Sequence, residues 1–153
     1  EIFMEVTLFT DASIRKRKPY WAAWLASERG CIVQSGESPK WVKDVNAAEL
    51  WAIVEGVRLA TVCWSSPSVV HIHTDSMTAV QFIRDMTQIS SNETIRKVQE
   101  ELRQMVECSK FVLQGTHVKA HLLGKSTSAQ INRYVDGLAS NHGREDVKQQ
   151  RKL

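Results

Sequence analysis

Two aspartates stand in nearly the same setting, Thr10-Asp11-Ala12-Ser13 and Thr74-Asp75-Ser76, each at the end of an apolar run rich in β-branched or aromatic residues. In the first run Val6, Leu8 and Thr10 alternate with Thr7, Phe9 and Asp11, the pattern of a strand within a sheet. A carboxylate on a rigid strand end can bind a metal ion, and an aspartate there can equally start a turn. Between the two runs, Asn46-Ala47-Ala48-Glu49 opens a segment in which Leu50, Ile53, Val54 and Val57 recur at helical spacing. Strand, crossover helix and parallel strand form a βαβ unit. Both aspartates are therefore expected at one edge of the sheet, where open α/β sheets place their sites, with Asp11 standing in the open. Glu49 has two readings: capping-box partner of an Asn46 N-cap, or an acid in the first helical turn facing Asp11. A fourth carboxylate, Asp136, falls in a terminal helix beginning at Ile131-Asn132-Arg133-Tyr134-Val135.

The remaining elements must position these acids. Tyr20–Ala26 and Cys31–Gly36 read as two further strands joined by Glu28-Arg29-Gly30, which with the first gives an antiparallel meander. Trp21 and Trp24 are assigned to its packed layer. Ser76 to about Met86 and the segment from Asn92 carry amphipathic stripes, the second with a Ser90/Glu93 capping box; these stripes are core packing. Phe111–Val118 is the last strand, and Leu122–Gln130, without apolar period, reads as a mobile loop. His71 and His73 share a strand face, and His117 and His121 have His-x-x-x-His spacing. Neither pair has the further ligands that a zinc site requires.

Composition limits the function classes. A chain of 153 residues with 24% charged and 42% hydrophobic residues is one globular domain, 1–153, and no apolar run reaches the length needed to cross a bilayer. Cys31, Cys63 and Cys108, odd in number and far apart, argue against a disulfide framework and are expected as buried thiols in a reducing, intracellular compartment. The opening Glu1-Ile2-Phe3-Met4-Glu5 is neither an initiator methionine nor a signal segment, and the chain is expected to be excised from a longer polyprotein. Net charge is only +3, but Arg15-Lys16-Arg17-Lys18 puts four cations just after Asp11, and Arg144, Lys148, Arg151 and Lys152 make residues from about 141 to 153 a basic tail. Cations beside an acidic cluster suit an enzyme acting on a phosphate backbone, while a solvated loop tip would have the same composition.

Taken in order, Thr10-Asp11-Ala12-Ser13, Asn46-Ala47-Ala48-Glu49-Leu50, His73-Thr74-Asp75-Ser76, His117-Val118-Lys119-Ala120-His121 and Asn132 to Ala139 resemble the ribonuclease H family, type 1 branch, across nearly the whole chain. The resemblance implies an α/β fold, the RNase H-like five-stranded mixed sheet of order 3-2-1-4-5 with helices on both faces. The His121 to Asp136 interval, and the short Asp85 to Asn92 connector where many cellular members insert a basic helix, resemble the RNase H domain of a retroviral or retroelement reverse transcriptase. Ala12 stands where the family usually has glycine, and Met77 where many members have a polar residue.

The resemblance further implies a metal-dependent endonuclease that cuts the RNA strand of RNA/DNA hybrids and leaves 3′-hydroxyl and 5′-phosphate ends. Asp11, Glu49, Asp75 and Asp136 would hold two Mg2+ ions, with Mn2+ as substitute. His121 would assist proton transfer or product departure. Ser13, Asn46, Ser76 and Glu49 would meet the RNA, and Arg15, Lys16, Arg17 and Lys18 its phosphates. The implied partners are the hybrid and a polymerase domain in the parent chain, with no membrane; the isolated domain is expected to be a monomer of the cytoplasm or a virion. Rival readings are a domesticated, non-catalytic hybrid-binding module, or another nuclease or integrase of the superfamily.

Overall fold

The computed structural model describes residues 3–64, 67–118 and 127–152, the side chains of 143–152 excepted. Strands β1 (Glu5–Arg15), β2 (Lys18–Ser27) and β3 (Gly30–Glu37) form the meander; α1 (Val45–Cys63) crosses to β4 (Val69–Thr74). Helices α2 (Met77–Arg84) and α3 (Glu93–Ser109) lead to β5 (Val112–His117), and α4 (Thr127–Lys152) closes the chain. The five strands lie in the order β3-β2-β1-β4-β5. The β1–β2 and β2–β3 pairs are antiparallel and the β1–β4 and β4–β5 pairs parallel, as the meander and the βαβ unit require.

Alternation along β1 separates two cores. Val6 and Leu8 point into the larger one with α1, α2 and α3, whereas Phe9 points into a smaller one with Ala22 and with Val135 and Ala139 of α4. Helix α1 is the strut of the larger core. Buried residues occur all around it, from Ala47, Leu50 and Trp51 to Val57 and Ala60, because it lies between the sheet and α3. Its approach to the sheet depends on Gly56, where an added Cβ would come within 2.6 Å of Leu8 Cδ1 and 2.8 Å of Cδ2.

The structure corrects several expectations. The N-cap of α1 is Asp44, whose Oδ1 accepts from Asn46 N at 2.8 Å and Ala47 N at 3.1 Å, so Asn46 is inside the first turn and Glu49 is no capping-box partner. Likewise Asn92 rather than Ser90 caps α3, accepting from Ile95 N at 3.1 Å. Asp11 does not end its strand: β1 runs on to Arg15, paired with β2 throughout. Cys31, Cys63 and Cys108 are exposed, on the edge strand β3 and in the last turns of α1 and α3. Of the expected loop Leu122–Gln130, residues 127–130 are the first turn of α4, and the rest lies outside the described residues. The basic tail continues α4 as helix to Lys152.

Gly56→Ala, which in an open helix would gain about 1 kcal/mol, should here lose about 1–3 kcal/mol through overpacking on Leu8. Denaturant unfolding should register the loss, and shortening the neighbour in Leu8→Val/Gly56→Ala should recover part of it.

Candidate active site

Three elements bring carboxylates together. Asp11 comes from the interior of β1, Glu49 from the start of α1, and Asp75 from the residue after β4. One oxygen of each lies within 4.8 Å of the others, the one such group of potential metal ligands among the described residues. Asp136 of α4 joins from the opposite face of the sheet, where its carboxyl is a hydrogen-bond partner of Asp11. All four acids singled out in the sequence thus meet around Asp11.

Their surroundings are hostile to charge. Asp11 is only 4% exposed and Glu49 9%, a consequence of the continued β1–β2 pairing and of the enclosed α1. Burial first, then the negative field of Glu49, the hydrogen bond to Asp136 and the field of Asp75, raise the Asp11 pKa from 3.8 to about 10. Burial, and then the Asp75 charge, raise Glu49 from 4.5 to about 8. The Ala12 amide donates to Asp11 Oδ1 at 2.9 Å and opposes these effects weakly. Glu49 Oε2 is sealed from solvent without any hydrogen-bond partner. Clustered hard oxygen donors, self-repelling and with one buried oxygen unsatisfied, fit a hard divalent cation.

The structure also describes other residues picked out in the sequence. Asn46 is exposed on the first turn of α1, and Ser13 is half-buried on β1 opposite Tyr20. Ser76 Oγ caps α2 by accepting from Ala79 N at 3.2 Å, and its amide donates to Thr74 Oγ1 at 3.1 Å. Arg15 and Lys18 pair across the β1–β2 hairpin, and Lys16 and Arg17 form its two-residue turn with φ of 48° and 67°. That is the left-handed conformation of a type I′ turn, which glycine or asparagine usually supplies. Lys18 lies 3.9 Å from Glu37, a weak exposed pair.

The histidines divide. His71 Nε2 lies 3.2 Å from Glu5 Oε1, and His73 stacks on Phe9 with ring centroids 4.3 Å apart, its pKa lowered by burial and then by His71. His117 Nε2 donates to the Asp75 carbonyl at 3.2 Å and so steadies the backbone of a cluster residue. His121 lies outside the described residues. Asn132, part of the motif above but given no role there, is 6% exposed, one helical turn before Asp136. Its signal was available in the i, i+4 spacing.

The sequence profile of the RNase H family, described as "RNase H", matches residues 4–144. The chain therefore belongs to the ribonuclease H family of hydrolases. No curated protein matches it by sequence. Among solved structures it is similar to RNase H1 from the halophilic archaeon Halobacterium salinarum, with 19% identity and a TM-score of 0.67 over 93% of this chain and 98% of that one. LC11-RNase H1, isolated from compost, gives 14% identity and a TM-score of 0.69 over 94% and 98%. The same LC11 enzyme in complex with an RNA/DNA hybrid gives 14% identity and a TM-score of 0.63 over 82% and 91%. At these identities the structural likenesses speak for the fold.

The raised pKa values give a stability signature in chelator. With these pKa values higher in the folded than in the unfolded state, the folded protein holds protons that the unfolded chain releases. The stabilisation is complete below about pH 4 and is lost as pH rises through about 8 and then about 10. Melting in EDTA should therefore show Tm falling from pH 5 to pH 9, with a shallower fall in Asp11→Asn. Magnesium should raise Tm most at the alkaline end, where its ligands are deprotonated.

Proposed function

We propose that this protein hydrolyses the RNA strand of RNA/DNA hybrids in a divalent-metal-dependent reaction, leaving 3′-hydroxyl and 5′-phosphate ends. The observation that carries the reading is the meeting of Asp11, Glu49 and Asp75 within 4.8 Å, in a chain whose family profile spans residues 4–144. The hybrid bound to the LC11 enzyme supports the choice of substrate.

Asp11, Glu49, Asp75 and Asp136 would hold two Mg2+ ions, or Mn2+ in their place. The chemistry supplied by ions so held is activation of water, neutralisation of the phosphoryl group and stabilisation of the leaving oxygen. The protein's own groups do the rest. The Ala12 amide fixes one Asp11 oxygen, and His117 fixes the Asp75 backbone. Asn46, Ser13 and Ser76 meet the RNA strand, where contacts to 2′-hydroxyls separate RNA from DNA. The hairpin cations Arg15, Lys16, Arg17 and Lys18 hold phosphates without regard to sequence. His121 assists proton transfer or product departure.

We further read the parent protein as a reverse transcriptase of retroviral or retroelement type, with a polymerase domain as partner. The support is the long His121 to Asp136 interval and the Asp85–Asn92 connector, in which α2 passes to α3 without an inserted helix.

Labelled RNA/DNA, RNA/RNA and DNA/DNA duplexes, incubated with and without magnesium and resolved on gels, test the proposal. Cleavage is expected of the hybrid alone, in its RNA strand, and with magnesium alone. Asp136→Asn should bind the hybrid but cut it slower by on the order of 10²–10³-fold, the scale for losing one electrostatic contributor. Undiminished cutting by that variant would refute the metal assignment, and binding without cutting by the unmodified protein would favour the non-catalytic module.

A further inference from the structure

A groove of about 510 Å³, a size common in ligand sites, lies along one edge of the sheet, and none of the four acids lines it. Its walls are residues 34–37 of β3, residues 38–40 after that strand, Trp21 of β2, and Trp51 and Glu55 of α1. β3 is an outermost strand paired with β2, so the other rim of its backbone meets no strand among the described residues. Its eight residues include neither lysine nor proline, the side chains that usually keep such an edge from pairing.

The groove is walled by groups whose needs the fold leaves unmet. Ser38 and Trp51 are 3% and 6% exposed, and Ser38 Oγ and Trp51 Nε1 have no hydrogen-bond partner among the described residues. An indole N–H can be satisfied only by an acceptor. Glu55 accepts from Arg58 Nη1 at 2.6 Å, yet burial outweighs the arginine and, with the field of Glu101, holds its pKa above the ordinary value. Two carboxylates, Glu37 and Glu55, thus share the wall with a single ammonium, Lys40. The Trp21 indole lies on the bare backbone of Gly36, where an added Cβ would come within 2.8 Å of Trp21 Nε1.

We propose that this groove binds an extended peptide of a partner protein, which pairs with the open edge of β3 and lays a lysine or arginine side chain against the Trp21 and Trp51 rings toward Glu37 and Glu55. Main-chain hydrogen bonding to a free strand edge holds the peptide, and indole faces beside carboxylates select the cation. Ser38 Oγ and Trp51 Nε1 are closed to solvent, so binding includes a small side-chain turn that brings them to peptide carbonyls. A nucleic-acid strand is the poorer occupant, because its phosphates would lie beside two carboxylates. The inference stands apart from the nuclease reading.

The test follows the amide and indole N–H resonances of the protein by heteronuclear NMR as a capped peptide of alternating lysine and valine is added. A glutamate–valine peptide and an oligothymidylate form the other arms. The lysine peptide should saturably shift the Trp21 and Trp51 indole signals and the amides of residues 34–37, and its Kd should rise about fivefold in Glu37→Gln and in Glu55→Gln, the upper range for a partly exposed ion pair. The inference is overturned if the lysine peptide does not bind, if it binds no better than the glutamate peptide, if its shifts fall on the acid cluster instead, or if both variants bind it as the unmodified protein does. Stronger shifts of the same signals by oligothymidylate would overturn it in favour of a nucleic-acid site. Should a variant fail to fold, the comparison of the three arms on the unmodified protein decides by itself.

Discussion

Bringing like charges into one buried place is the constraint on which this structure turns. Coulomb repulsion and loss of hydration both oppose the meeting of Asp11, Glu49 and Asp75, and the raised pKa values of Asp11 and Glu49 record that opposition. What overcomes it is apolar packing elsewhere. The larger core clamps β1 and β4 to α1, so three acids on three elements have no freedom to separate. The smaller core, in which Val135 and Ala139 lie against Phe9 and Ala22, brings the fourth from the other face. Each core thus delivers part of the acid cluster, and the sheet lies between them.

Much of this was legible in the chain because it is local. Alternation along Val6–Asp11 gives the strand, the helical recurrence of Leu50, Ile53, Val54 and Val57 gives α1, and the repeated Thr-Asp ending gives the shared edge. The strand order came with the resemblance, and the pairing pattern bears it out.

What stayed hidden depends on partners distant in sequence. Asp11 looked like an exposed strand end because Ala12–Arg15 carry no strong strand signal, and only pairing with Lys18–Trp21 keeps β1 going. The N-cap was displaced by two residues because Asp44 and Asn46 both match the cap template, and it is the Asp44 side chain that accepts from Asn46 N and Ala47 N. The cysteines were assigned by average habit, which says nothing about whether a given strand lies at an edge.

The two-residue turn at Lys16 and Arg17 leaves the β1–β2 hairpin no slack. Because the same unbroken strand carries Asp11 and Arg15, four residues or about 13 Å apart, the hairpin tip cannot drift relative to the acids. On the reading proposed for the site, strand and turn act as a calliper: the phosphate gripped at one jaw sets which phosphate falls at the other. Spacing along the nucleic acid, and not its base sequence, would then decide where the backbone is opened.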